Sequence, residues 1–194
     1  MANVLVACEF SGIVRDAFTK RGHNAWSCDL LPTERPGKHY IGDVANILDA
    51  GWDIMIAHPP CTYLVPRAAY WAKIKNTYQQ IEQAVAFFML LANAPISKIA
   101  IENPVCIMST RYRKPDQIIQ PYQFGHPERK RTCLWLKNLP PLAPTNQITP
   151  EQPRFVDSKQ ARYFVDSISP SPERWKIRSR TFAGIAEAMA MQWD

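Results

Sequence analysis

The sequence has no CxxC pair. Its five cysteines, Cys8, Cys28, Cys61, Cys106 and Cys133, are odd in number and widely spaced. That pattern argues against a disulfide framework or a structural zinc site, so no metal is expected, and it favours reduced thiols in a cytoplasm, the host's if the chain is phage-encoded. No apolar run is long enough to cross a bilayer, which leaves no role for a membrane. Met1-Ala2-Asn3 leads straight into Val4-Leu5-Val6 without the basic head and cleavage site of a signal peptide. Internal repeats and low-complexity segments are missing too. What remains is a chain of 194 residues with 46% hydrophobic content, enough for one globular domain or a domain with a small appendage.

Positive charge is present but unevenly placed. Residues 1–108 hold nine basic and nine acidic side chains; residues 109–180 hold fourteen and six. The surplus is interleaved with Tyr112, Tyr122, Trp135, Phe155, Tyr163, Phe164 and Trp175. Cations among aromatics suit phosphates and bases, although a solvated basic face around core aromatics accounts for the same pattern about equally well.

Short apolar runs alternate with helical spacing. Val4 to Ala7, Asn24 to Cys28, Ile54 to Ala57, Ile99 to Ile101 and Cys133 to Leu136 read as strands. Gly12 to Arg21 and Thr77 to Asn93 read as helices, the second with Ile81, Ala84, Val85, Phe88 and Leu91 as its apolar stripe. Ile41-Gly42-Asp43-Val44 reads as a turn into a short helix. The alternation predicts an α/β fold with a mostly parallel sheet covered on both faces. Ligands of such sheets bind beyond the carboxyl ends of the strands. Cys8-Glu9-Phe10, Asp29, Cys61 and Glu102-Asn103 fall there. After Leu136, five prolines between 140 and 153 resist helix and central strand alike. Helical spacing returns from Thr181 to Trp193.

Taken one by one, the polar residues at the strand ends have ordinary explanations. Cysteine is commonly a buried structural residue, yet Cys61 follows Pro59-Pro60, a rigid elbow that packing does not require. Glu102 caps or is solvated, or it partners a thiol on a neighbouring strand as an acid. Asp29 and Asp43 are turn residues, or acids that hold ribose hydroxyls. Arg129-Lys130-Arg131 is a charged turn, but it feeds a buried strand, so at least one arginine is expected to face inward.

In order along the chain these segments resemble the cytosine-C5 DNA methyltransferase family, as a small, phage-like member. "CEFSGIVRDAF" (8–18) is similar to the family's first motif, whose Phe-x-Gly turn approaches S-adenosyl-L-methionine. Asp29 stands where an acid follows the second strand, "GDV" (42–44) resembles the third motif, and "PPC" (59–61) resembles the nucleophile motif. "ENP" (102–104) is similar to the Glu-Asn-Val motif, and "FGHPERKRTCLWL" (124–136) resembles the motif that ends in Arg-x-Arg. The resemblance implies a Rossmann-like S-adenosylmethionine-dependent methyltransferase fold. It implies a cofactor site of Phe10, Ser11, Gly12, Asp29, Leu30, Asp43, Val44 and Pro60, a catalytic set of Cys61, Glu102, Arg129 and Arg131, and substrate contacts from Pro59, Asn103 and Pro104. Further glycines are lacking after Gly12, His58 stands where the family has glycine, and Thr62 where it has glutamine.

The implied reaction is methylation of carbon 5 of cytosine in DNA through a thioether between Cys61 and carbon 6, the base having first left the stack. The implied division is a catalytic core over 1–136, a short proline-rich basic insertion over 137–178 in place of a target-recognition domain, and a returning helix over 179–194. So short an insertion leaves a free cytosine nucleotide, dCMP or dCTP, as the alternative substrate, and a catalytically silent DNA-binding relative as a third reading. Amino-group methyltransferases fit poorly, because their Pro-Pro loop carries an aromatic residue where Cys61 stands.

Overall fold

The fold comes from a computed structural model that describes residues 1–151, 154–157, 160–162 and 168–193; Tyr163 and Phe164 lie outside the described residues, as does the side chain of Phe155. The strands are β1 (Asn3–Ala7), β2 (Asn24–Asp29), β3 (His39–Ile41), β4 (Ile54–Ala57), β5 (Lys98–Pro104), β6 (Gln117–Ile119) and β7 (Thr132–Lys137). They form a seven-stranded sheet in the order β3-β2-β1-β4-β5-β7-β6. β1 to β5 run parallel, and β7 is antiparallel to both β5 and β6. β8 (Arg154–Asp157) and β9 (Gln160–Arg162) make a separate antiparallel pair.

The apolar runs are continuous because both faces of the sheet are covered. Val4 and Val6 of β1, Ile54 and Ile56 of β4, and Ala100 of β5 point into one core layer. There they meet α1 (Ile13–Lys20) and α6 (Ala183–Gln192) through Val14, Phe18, Ile185 and Met189. Leu5, Ala7, Met55, Ala57, Ile99 and Ile101 point the other way, onto Phe88 and Leu91 of α3 (Tyr78–Ala92). The period of two along each strand thus divides one hydrophobic run between two cores.

The structure adds elements with little sequence signal. β3 and β6 have three residues each. α2 (Pro66–Lys75) opens with proline in its first turn and closes on Asn76 in the left-handed region, yet it carries no apolar stripe. The remaining short helices are α4 (Met108–Arg111) and α5 (Arg174–Ser179). The proline-rich stretch after β7 is irregular, as expected, and it is tied to the main body: Leu139 and Leu142 are buried in the α1/α6 core, and Pro140 O accepts the Trp193 indole N–H at 2.9 Å. No helix among the described residues is long and apolar enough to cross a membrane.

Candidate active site

The sheet order reverses between β1 and β4, where successive connections leave toward opposite faces. A crevice forms outside the carboxyl ends of these two strands. The turn after β1 and the Pro-Pro elbow after β4 therefore face one another, and His58 N–H ties them by donating to Ala7 O at 2.9 Å.

The β1 turn is built around a carboxylate. Cys8 and Gly12 both take positive φ, 60° and 71°, which folds Glu9 back over the start of α1. Glu9 accepts from Val14 N–H (2.7 Å), Arg15 N–H (3.2 Å) and Ser11 Oγ (3.1 Å). The first free donors of α1 are thus occupied from within the turn. Gly12 has no room for a side chain, because the Arg15 guanidinium packs where a Cβ would stand. Arg15 itself is 1% exposed and donates to Ser27, Thr33 and the carbonyls of Arg35 and Pro36, each at 3.1 Å, which fixes the loop after β2. Phe10 is buried, with the Trp175 ring 5.6 Å away.

The other cofactor-side candidates lie along the same edge. Asp29, half-buried at the end of β2, accepts Leu31 N–H at 3.0 Å, and burial pushes its carboxyl pKa above the ordinary value. Leu30 is exposed. Asp43 caps the 3-10 turn Val44–Ile47 by accepting Ala45 N–H at 2.9 Å, and Val44 is buried beneath it.

On the β4 and β5 side, Pro59 is buried and Pro60 exposed. Pro59 O accepts Asn103 Nδ2–H at 2.8 Å, so Asn103 braces the elbow, while its Oδ1 is buried without a partner among the described residues. Pro104 ends β5 and pairs with Thr132. Cys61 is half-buried, and its carbonyl accepts Leu64 and Val65 N–H, a tight turn that holds the thiol at the elbow. Burial pushes the Cys61 thiol pKa up; Glu102 adds to this, and Lys130 and Arg178 oppose it. Burial drives Cys28 up to about 12 and Cys133 to about 11, which leaves both as inert core thiols.

Glu102 has a partner that sequence reasoning did not assign. His58 Nδ1 lies 2.7 Å from Glu102 Oε2, with side-chain exposures of 10% and 14%. Burial would lower the His58 pKa, but the hydrogen bond and charge of Glu102, with Glu9 behind, reverse this, and the net direction is upward. Burial would raise Glu102; the same bond and charge hold it below the ordinary carboxylate value. Each group thus favours the charged form of the other across the 2.7 Å bond. His58 Nε2 is buried and unpartnered among the described residues. The signal available in the sequence was a histidine in a glycine position beside a proline pair.

The basic triplet differs from expectation. Arg129 and Arg131 are both exposed, with Arg129 over the Tyr122 ring at 5.8 Å. In the irregular segment just before β7 the middle residue turns inward: Lys130 is half-buried, its charge acts on Cys61, His58 and Glu102, and it donates to Arg178 O at 3.0 Å. A cleft of about 40 Å³ lies between Cys8–Ser11, His58 and residues 179–181. Arg180, which lines it, pairs with Glu34 at 2.8 Å. A larger groove of about 570 Å³ runs between the 3-10 turn and the end of α3, remote from these groups and lined by Leu48, Met89 and Leu90 among others.

No protein-family profile matches the chain, and no curated protein matches it. Among solved structures it is similar to a prophage-encoded protein of E. coli assigned as a DNA modification methyltransferase, at 14% identity and a TM-score of 0.50. The match covers 77% of this chain and 52% of that one, so the chain spans about half the length of its neighbour. At this identity the likeness is one of fold, and with the strand order above it shows a Rossmann-like methyltransferase architecture.

Proposed function

We propose that the protein is an S-adenosylmethionine-dependent methyltransferase that acts on carbon 5 of cytosine in DNA, with Cys61 as nucleophile. The observation that supports this reading is that Cys61 and Glu102 come from the carboxyl ends of the paired strands β4 and β5, beside the switch point of the sheet, and that the Glu102 charge acts on the Cys61 thiol. Carbon 5 of cytosine is a weak nucleophile. A thiolate that adds at carbon 6 moves the electrons of the 5,6 double bond toward carbon 5, and a proton at N3 relieves the charge that builds on the ring.

The β1 turn supports the choice of cofactor. In dinucleotide-binding relatives of this architecture, the helix N-terminus after the first strand holds a pyrophosphate. Here the Glu9 carboxylate sits on those donors and would repel one. Glu9, Asp29 and Asp43 make an anionic, acceptor-rich edge that fits a cationic, phosphate-free nucleoside carrying ribose hydroxyls. When bound, S-adenosylmethionine supplies an electrophilic methyl group. Asp29 would hold the ribose, and Phe10 and Val44 the adenine. Carbon 5 takes the methyl group; loss of its proton then restores the double bond and expels the Cys61 thiolate.

DNA is favoured over a free nucleotide by the basic second half and by the helix after the nucleophile. α2 and its flanks expose Tyr63, Tyr70, Trp71 and Tyr78 beside Arg67 and Lys75, a mixture that stacks bases and neutralises phosphates. The test is transfer of label from S-adenosylmethionine to DNA, dCMP and dCTP in parallel. The reading expects label in DNA and a Cys61-dependent covalent adduct with 5-fluorocytosine DNA. Label confined to a mononucleotide overturns the choice of DNA, and an adduct that survives Cys61→Ser overturns the thiol mechanism.

A further inference from the structure

The proposed reaction requires a proton at the ring nitrogen, and Glu102 is already engaged by His58 at 2.7 Å. We infer that His58 is the proton reservoir for Glu102, a positioning residue that acts through the carboxyl and loads it at the moment Cys61 adds to the base. The inference rests on the reading of Cys61 and Glu102 as nucleophile and acid.

The geometry allows one route. His58 Nδ1 is 2.7 Å from Glu102 Oε2, within reach of direct transfer. The elbow backbone holds the imidazole in place, because His58 N–H is bonded to Ala7 O and the next carbonyl, Pro59 O, to Asn103. As Cys61 Sγ bonds to carbon 6, the Nδ1 proton passes to Glu102, and the carboxyl gives it to N3. His58 ends neutral, Glu102 is again available as a carboxylate, and the negative charge of the thiolate has been discharged onto a protonated ring. Expulsion of Cys61 returns the N3 proton along the same path.

Three charged groups act on His58, and a fourth lines its cleft. Glu102 comes from β5, Glu9 from the turn after β1, and Lys130 from the segment before β7, while Arg180 lines the same cleft from the segment before α6. The two carboxylates favour the imidazolium and Lys130 opposes it. Burial pushes the Cys61 thiol upward, and the productive form the proposal requires is thiolate with imidazolium. In that case the rising limb of the pH–rate profile reports the His58–Glu102 pair and the falling limb reports the thiol.

The experiment is cofactor-free exchange of tritium from carbon 5 of cytosine in DNA, followed against pH for wild type, Cys61→Ser and His58→Asn. Asparagine places an N–H near the position of Nδ1 but carries no titrating proton. The inference expects the plateau of His58→Asn to fall by about tenfold or more and its rising limb to move to lower pH, toward the carboxyl's own titration. A uniform loss at every pH, with the limb unmoved, overturns the role of His58 and leaves the reading of Cys61 intact. Wild-type exchange that is absent, or that survives Cys61→Ser, overturns the reading itself and this inference with it. A second measurement does not depend on turnover or on the His58 variant folding. The His58 imidazole is titrated by NMR in wild type and Glu102→Gln. An imidazolium that persists above the ordinary histidine range only when Glu102 is present supports the inference; a titration unmoved by Glu102→Gln overturns it.

Discussion

Glu9 and Glu102 are two carboxylates at the same edge of one sheet, and their surroundings differ in kind. Glu9 is held by two backbone N–H groups and a serine hydroxyl of its own turn, none of which titrates near neutral pH. Glu102 is held by an imidazole from a neighbouring strand end. A carboxylate on fixed donors is a structural part of its turn. One on a titratable donor can receive a proton and release it. Residue type alone does not separate the two roles; the partner does.

Substitutions at the two positions are expected to part along that line, most widely in rate. Glu102→Gln should slow Cys61-dependent exchange by about 10² to 10⁴, the usual contribution of a general acid, whereas Glu9→Gln should cost less than about tenfold. Equal losses would erase the distinction. Stability is expected to follow in the same order. Glu102→Ala strands the His58 charge in a buried site and should cost about 3 kcal/mol in urea unfolding. Glu9→Ala removes a helix-start acceptor and should cost about 1–2 kcal/mol.

The pH dependence of stability sharpens the contrast. His58 is raised in the folded state, so its contribution is complete below the ordinary histidine value and is lost as pH rises through the folded one. Glu102 is lowered, so its contribution is complete above the ordinary carboxylate value and is lost as pH falls through the folded one. The gap in unfolding free energy between wild type and His58→Asn should therefore be widest at about pH 4.5 to 6.5 and narrow on both sides. A gap that stays flat from pH 4 to 9 would contradict the charged pair. The smallest effect belongs to Ser11→Ala, which takes one donor from Glu9. It should cost about 0.5–1 kcal/mol and leave the pH–rate limbs where they are; a shifted limb would mean that Glu9 also takes part in proton transfer.

Much of the frame was legible because strands buried on both faces must be apolar throughout. Val4 to Ala7, Ile54 to Ala57 and Ile99 to Ile101 could be placed for that reason, and α3 because its stripe repeats at helical spacing. β3 and β6 are too short to show any period. α2 escaped because its large side chains face solvent, and the direction of β7 leaves no mark on its composition. At the site, the Pro-Pro-Cys elbow and Glu102 were visible as separate signals. The His58–Glu102 pair was not, because 44 residues separate its members and only the pairing of β4 with β5 brings them together. The inward turn of Lys130, rather than of either arginine, belongs to an irregular segment ahead of β7, where no period assigns a face.

Gly184 opens α6 so close to the Phe124 carbonyl that no side chain fits between them, and Trp193 is buried at the far end of the same helix. A chain that lacks this helix could still pair its first five strands, but only α1 would cover that face of the sheet, and the apolar surface beneath α6 would stay bare. A polypeptide halted between the fifth strand and this helix would therefore offer chaperones and neighbouring chains a wet apolar wall.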